Sequence, residues 1–132
     1  MKKIILLSVI FVICLALVSC GSGQRRKNVR SGDGFAWSNV AAEKMNWDLA
    51  KEYCEELNED GISGWRLPKP QELKMIYSNN SHNCILDGNT DTFWTSEEIN
   101  ENRARSIEFS FARVEPQAKE KEFAVRCLRN DE

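Results

Sequence analysis

The oxygen-bearing side chains between residues 87 and 98 have a spacing that suggests ligand binding. They resemble the ligand set of a calcium-binding loop: Asp87, Asn89, Asp91 and Glu98. Thr92 occupies the position of the turn glycine, and Phe93-Trp94 is typical of a strand where such a loop requires a helix. The pattern therefore predicts an acidic turn with no metal ion or other cofactor. These side chains and Trp94 remain candidate ligand contacts.

Thiol chemistry is the second candidate. His82 and Cys84 stand two residues apart in or just after a polar loop, an arrangement that rarely brings a base onto a nucleophile. The sequence has no other histidine, no zinc-ligand spacing, no phosphate-binding glycine loop and no Ser/His/Asp set. We interpret Cys84 as either an inert buried thiol or an accessible one that cross-links a partner. Catalysis is not expected.

Aromatic and cationic side chains allow two interpretations each. Indole rings in apolar stretches usually pack in a core, although their faces also stack on sugar rings. This applies to all four tryptophans: Trp37, Trp47, Trp65 and Trp94. Arg66 and Arg126 stand between apolar neighbours, where an arginine either forms an internal ion pair or binds an anionic ligand. Glu72 is the candidate partner of Arg66.

The N-terminus has the features of a secretory signal. Lys2 and Lys3 precede 15 residues, Ile4 to Val18, that are apolar except for one serine. This run is shorter than the roughly 20 residues that a membrane-spanning helix needs. The ending Leu17-Val18-Ser19-Cys20 resembles the lipobox of bacterial lipoproteins. The resemblance implies that residues 1–19 are removed and that Cys20 becomes an acylated N-terminus.

Charge separates the next segment from the rest of the chain. Residues 20–33 are rich in glycine, serine and arginine and are predicted to form a flexible basic tether. From Ser31 onward there are 12 basic and 20 acidic side chains, a net charge of −8. The tether suits anionic lipid headgroups, or it serves only as a solvated linker. The acidic domain argues against nucleic-acid binding.

The elements that must position these side chains are two helices followed by strands. Apolar spacing predicts helices over 47–57 and 70–77, the second with Pro70 in its first turn. Alternation predicts strands over 107–111 and 123–127, and shorter candidates stand at 35–37 and 92–96. Helices early and strands late predict an α+β fold with an antiparallel sheet, formed by residues 34–132.

The central motif is Gly64-Trp65-Arg66-Leu67-Pro68 followed by Gln71-Glu72-Leu73. Further motifs are Met45-Asn46-Trp47, Tyr53-Cys54, Phe93-Trp94-Thr95-Ser96 and Val125-Arg126-Cys127. Together they span about residues 35–129 and resemble the bacterial Lcl C-terminal-like domain. The resemblance implies a C-type-lectin-like fold, in which two helices pack on a twisted antiparallel sheet.

The resemblance also implies a disulfide between Cys54 and Cys127, which leaves Cys84 as a free thiol. Both paired cysteines occupy apolar-face positions on predicted elements, and disulfides persist outside the cytoplasm. Glu115-Pro116-Gln117 is similar to half of the carbohydrate-calcium motif of C-type lectins. It lies downstream of Trp94 and no Trp-Asn-Asp follows. Calcium-dependent sugar binding is therefore not expected.

These features predict a lipid-anchored cell-envelope protein with a non-catalytic binding or adhesion domain. Its partners would be membrane lipid, through acylated Cys20, and an envelope protein or glycan. Gly21 is not the aspartate that retains lipoproteins at the inner membrane, so the expected location is the outer membrane where a cell has one. The alternatives are a structural scaffold without a small ligand and, third, a thiol-dependent enzyme related to sulfatase-modifying factors.

The lipobox motif generates a direct prediction. Cys20→Ala removes the thiol that would carry lipid, so the variant should accumulate as an unprocessed precursor that takes up no radiolabelled fatty acid. Labelling is compared with the wild type after immunoprecipitation. Normal labelling of Cys20→Ala would contradict acylation at this residue.

Overall fold

The computed structural model describes residues 29–31, 34–78 and 92–130. Its elements in chain order are β1 (Val29–Ser31), β2 (Phe35–Val40), α1 (Trp47–Glu56), α2 (Pro70–Ser78), β3 (Thr92–Asn100), β4 (Arg103–Glu108), β5 (Arg113–Ala118) and β6 (Arg126–Asn130). Several residues to which the sequence assigned a role lie outside the described ranges: Cys20, His82, Cys84, Asp87, Asn89 and Asp91.

The strands form two antiparallel sheets of three strands each. In the first sheet β2 lies between β1 and β6, so that Trp37 faces Val29 on one side and Leu128 on the other. In the second sheet β4 lies between β3 and β5. A parallel bridge between Phe93 and Ala124 links the two sheets. The predicted α+β class is confirmed, although the strands form two sheets and not one.

The first sheet carries an apolar core on each face. Because side chains alternate along a strand, Ala36 and Cys127 face the first core, whereas Trp37 and Leu128 face the second. The other buried members of the first core are Trp47, Ala50, Cys54, Trp65, Leu67, Trp94, Ala104 and Val125. Those of the second core are Leu73, Ile76, Phe93, Ile107, Phe109 and Ala124. Helix α1 packs in the first core against β6 and β3, whereas α2 packs in the second core against β3 and β4.

Helix α1 begins at Trp47, as the apolar spacing predicts, and Asn46 is its N-cap. The Asn46 side chain accepts a hydrogen bond from the Leu49 N–H at 2.9 Å, which satisfies one of the free donors of the first turn. The apolar stripe of Trp47, Ala50 and Cys54 is buried. In the described part of the chain no helix has the length and apolar character needed to cross a membrane.

Helix α2 is capped by a side chain that also holds Arg66. Lys69 precedes the helix and offers no side-chain acceptor, but Glu72 accepts from the Lys69 N–H at 2.7 Å, one half of a capping box. The same carboxylate receives two bonds from the Arg66 guanidinium, at 2.8 and 2.9 Å. Arg66 also donates to Asn130 at 3.2 Å. These partners support the ion-pair interpretation of Arg66.

A disulfide joins α1 to β6. Cys54 and Cys127 are fully buried in the first core and lie 73 residues apart in the chain. Closing a loop of that length stabilises the folded state by about 4 kcal/mol in the chain-entropy account. The pairing implied by the family resemblance is therefore the pairing found in the structure.

The strands differ from their predicted positions more than the helices do. The predicted strand at 107–111 meets β4 only at 107 and 108, since the next four residues form the turn before β5. Phe123 and Ala124 form isolated bridges, so β6 begins later than predicted. β1 falls within the range assigned to the tether, and β5, which contains Pro116, was not predicted.

The Glu72 contacts predict a pH dependence of stability. Burial raises the pKa of Glu72, but hydrogen bonds from Arg66 and the Lys69 N–H together outweigh it, so the pKa lies below its usual value. A lowered pKa stabilises the fold above the unfolded-state value of about 4.3 and loses that contribution as pH falls through the folded-state pKa. The free energy of unfolding should therefore decline in this acid range.

Glu72→Gln should reduce the free energy of unfolding at pH 7 by roughly 1.5–3 kcal/mol, because charge-assisted bonds are lost. It should also flatten the acid decline, measured by urea unfolding at several pH values. The exposed Glu55→Gln is the control and should change stability by less than about 0.5 kcal/mol. Equal acid declines in Glu72→Gln and the wild type would contradict this role of Glu72.

Candidate functional site

A polar groove lies where α1 begins and the second sheet ends. Its volume is about 660 Å³. One wall is the start of α1, the second is the β3–β4 turn, and the third is the end of β5 with the turn that follows it. The lining residues are Asn46, Asp48, Glu101, Asn102, Arg103, Pro116, Gln117, Ala118, Lys119, Glu120 and Lys121.

Lys119 anchors the third wall and is only 8% exposed. Its Nζ contacts Glu98 Oε1 at 2.5 Å and lies 4.5 Å from the centre of the Trp47 ring. Its backbone carbonyl accepts from the Trp47 N–H at 3.0 Å, and its N–H donates to the Asn102 carbonyl at 2.9 Å. Lys119 therefore fixes the spacing between α1, the β3–β4 turn and the end of β5.

Other cations of the groove bind neutral oxygens. The Lys121 ammonium donates to Gln117 Oε1 at 2.8 Å, and Arg103 donates to the Pro116 carbonyl at 3.4 Å. Within the described ranges no ion pair engages the carboxylates of three lining residues: Asp48, Glu101 and Glu120. The groove thus presents carboxylate and amide oxygens beside two cations, a surface suited to hydroxyl, amide or ammonium groups of a ligand.

Two of the five candidate ligand contacts from the sequence, Trp94 and Glu98, lie in the described residues. Trp94 is fully buried and its indole N–H donates to the Met45 carbonyl at 2.9 Å, so its ring is not available to a ligand. Glu98 is exposed beside the groove and is paired with Lys119. Trp37, Trp47 and Trp65 are also buried, which supports the core interpretation. The remaining candidates lie in 79–91, outside the described residues.

Sequence reasoning did not identify the groove as a site. Asn46 is recognisable only as a helix cap, and Gln117 only as part of a partial lectin motif. Nothing in the local pattern indicates that Lys119 is buried, because its partners Glu98 and Trp47 are distant in the chain. A surface built from three separate segments leaves no local signature.

Metal chemistry finds no support in the described parts of the chain. Within 29–31, 34–78 and 92–130 there is no group of three His, Cys, Asp or Glu side chains that could hold an ion. The two cysteines in these ranges are joined in the disulfide. The groove therefore offers hydrogen bonds and charge to a ligand.

The arrangement of helices, sheets and disulfide defines a C-type-lectin-like domain. A chain of the complex between a mutant von Willebrand factor A1 domain and botrocetin is similar, with a TM-score of 0.57 and 15% identity, over 80% of this chain and 98% of its own. Human lithostathine has a TM-score of 0.52 and 13% identity, over 87% and 93%. At these identities the similarity concerns the fold alone.

Within this class the chain belongs to the Lcl C-terminal domain family, whose sequence model matches residues 29–129. The family resemblance expected from the central motif is confirmed. No curated protein matches the chain. Family and fold thus agree on a lectin-like domain.

The Lys119 contacts predict a shifted titration at the groove. The hydrogen bond from Lys119, followed by its charge, holds the pKa of Glu98 below the usual value. Lys119→Met keeps most of the packing on Trp47 but removes the ammonium, so the pKa of Glu98 should rise, measured by NMR of the side-chain carboxyl carbon. Lys121→Met is the control and should leave this pKa in place. An unchanged pKa in Lys119→Met would contradict the proposed pairing.

Proposed function

We propose that this chain is a cell-envelope lipoprotein whose Lcl C-terminal domain binds a neutral or cationic polar ligand in the groove and performs no catalysis. The observation that carries the proposal is the groove itself, held open by buried Lys119 on a lectin-like fold. The ligand class is a glycan or a protein segment of the envelope that presents hydroxyl, amide or ammonium groups.

The construction of the groove supports binding. Loops and turns held on a rigid scaffold are where binding residues concentrate. Here the walls are turns fixed to regular elements by backbone hydrogen bonds, such as Lys119 N–H to Asn102 and Trp47 N–H to Lys119. Such a surface is formed before the ligand arrives, so little conformational entropy is lost on binding.

Charge supports the choice of ligand. The region from Ser31 onward has a net charge of −8, and the carboxylates of Asp48, Glu101 and Glu120 face the groove without an ion-pair partner in the described residues. Arg103 and Lys121 line the same groove, so it is the net charge of the domain, added to these three carboxylates, that disfavours a polyanion such as a sulfated glycan. Neutral and cationic groups can donate hydrogen bonds to the same carboxylates at no such cost.

Anchoring is supported by the sequence at Cys20. A short apolar run followed by Leu17-Val18-Ser19-Cys20 is typical of lipoprotein signals, and each buried acyl methylene contributes about 0.8 kcal/mol to membrane attachment. The basic residues that follow add attraction to anionic headgroups. We propose the outer membrane as the location where the cell has one.

The proposed binding site is tested with an isosteric triple variant: Asp48→Asn, Glu101→Gln and Glu120→Gln. The probe is an immobilised array of neutral, amino-substituted and sulfated oligosaccharides, read with the purified full chain in detergent. The wild type should bind neutral or amino-substituted members saturably and sulfated members weakly. The triple variant should lose roughly tenfold or more in affinity, the equivalent of a few hydrogen bonds.

The matched control removes the same charge from the exposed face of α1: Glu52→Gln, Glu55→Gln and Glu56→Gln. It should bind as the wild type does, and near-ultraviolet circular dichroism of the buried tryptophans should show that both variants are folded. Saturable binding that survives in the groove variant and is lost in the α1 control would place the site elsewhere. No saturable binding to any array member would favour a structural scaffold over a glycan-binding domain.

A further inference from the structure

The turn between β4 and β5 presents an aromatic ring to solvent. Phe111 is 68% exposed, more than the other exposed large hydrophobic residues among those described. The Arg113 guanidinium lies 5.7 Å from its ring centre, is itself exposed, and makes a surface ion pair with Glu115 at 3.4 Å, a type of contact that contributes little and can be exchanged for a phosphate. Ala112, between them, has a positive φ of 49°, a conformation that costs a non-glycine residue about 1–2 kcal/mol. Phe111, Ala112 and Arg113 are here called the tip.

The tip and the groove lie at opposite ends of β4. The β3–β4 turn, which lines the groove, precedes Arg103, whereas the tip follows Glu108. Six strand residues separate the two turns, a distance of about 20 Å at the rise of an antiparallel strand. The aromatic and cationic tip and the polar groove therefore lie at opposite ends of the second sheet.

The core that supports the tip extends to the point where the chain enters the described domain. The neighbours of the tip, Phe109 and Val114, pack in the second core together with Trp37. Trp37 in turn pairs with Val29, the first residue of β1. The segment that comes from Cys20 therefore joins the domain beside the core that supports the tip.

The distance from Cys20 to the domain is short. Eight residues lie between Cys20 and Val29, and the nine Cα-to-Cα steps of a fully extended chain span at most about 30 Å. A domain of about 100 residues has a radius of gyration near 13 Å and hence a diameter of about 35 Å. An acylated Cys20 would therefore keep the domain within its own diameter of the bilayer, where one of its faces meets the headgroups.

We propose that the tip is that face: Phe111 inserts at the boundary between headgroups and acyl chains of an anionic bilayer while Arg113 binds a lipid phosphate. An aromatic ring fits this boundary, and a guanidinium matches phosphate geometry. One ring and one charge bind weakly alone, but an anchored domain meets the bilayer at high effective concentration. The groove then points away from the membrane. This inference rests on the proposed anchoring at Cys20.

The test places a fluorophore at the tip. All four native tryptophans are buried, so Phe111→Trp adds the surface indole that lipid can reach. The full chain is purified from membranes and reconstituted into phosphatidylglycerol–phosphatidylcholine vesicles with brominated acyl chains, which quench nearby indoles. The fluorescence that Phe111→Trp adds to that of the wild type should be shifted to the blue. Brominated lipid should quench this added fluorescence at least about twofold, as expected for insertion at the interface.

The matched control is Leu49→Trp, on α1 beside the groove, where the native residue is 52% exposed. Its added signal should be unquenched. In Phe111→Trp, the further change Arg113→Gln should weaken quenching in vesicles with phosphatidylglycerol more than in phosphatidylcholine alone. Quenching that is absent at position 111, or equal at positions 111 and 49, would overturn the proposal. If Arg113→Gln weakened quenching equally in vesicles with and without phosphatidylglycerol, the phosphate contact would be overturned.

Acylation is measured separately by the mass of the purified protein. A chain without acyl groups would contradict the proposed anchor, while quenching of Phe111→Trp by added vesicles would still decide whether the tip meets lipid. The failure of the anchor and the failure of the tip are thereby distinguished.

Discussion

The disulfide between Cys54 and Cys127 is the constraint on which the two-core arrangement depends. A domain of this size buries only about two thirds of the surface that its unfolded chain exposes, so its apolar cores alone leave a narrow margin of stability. The cross-link ties the first helix to β6, the strand that carries the first core on one face and the second on the other. Holding β6 against α1 also keeps Leu128 opposite Trp37, its partner on the neighbouring strand β2. The contacts of Arg66 with Leu128 and Asn130 extend this strand's connections to the segment before α2.

The helices could be predicted because each helix pattern lies within one short segment. The groove could not be predicted, since its residues come from segments that are far apart in the chain. Asn46 caps α1 and the Trp47, Ala50, Cys54 stripe recurs at helical spacing, so one segment contains the whole pattern. β5 is an edge strand in which Pro116 breaks the alternation that reveals a strand, and an edge tolerates the missing donor. Lys119 is unremarkable in sequence. Its burial follows from Trp47 and Glu98, which tertiary structure brings to it.

The same ion-pair chemistry has different consequences at two places in the molecule. Arg66 and Glu72 form a bidentate ion pair, and Glu72 also caps α2. The guanidinium of Arg66 is therefore engaged within the fold. Lys119 and Glu98 instead stand at the edge of the groove, where the pair neutralises a buried ammonium and leaves neighbouring carboxylates exposed. The first pair contributes stability. The second sets the shape and the local charge of the surface that we propose for binding.

Under the proposed anchoring at Cys20, the positions of the groove and the tip at opposite ends of β4 have a physical consequence. A short antiparallel strand pair is stiff, so a contact made by Phe111 and Arg113 fixes the direction of the β3–β4 turn about 20 Å away. A binding surface next to the headgroups would compete with anionic lipid for cationic ligands and would be closed to large ones. The anionic headgroups would attract Arg113 and the basic residues after Cys20, whereas they would repel the rest of the domain, whose net charge from Ser31 onward is −8. Attraction confined to the tip and to the basic residues after Cys20 thus favours a single orientation, in which the groove points away from the bilayer.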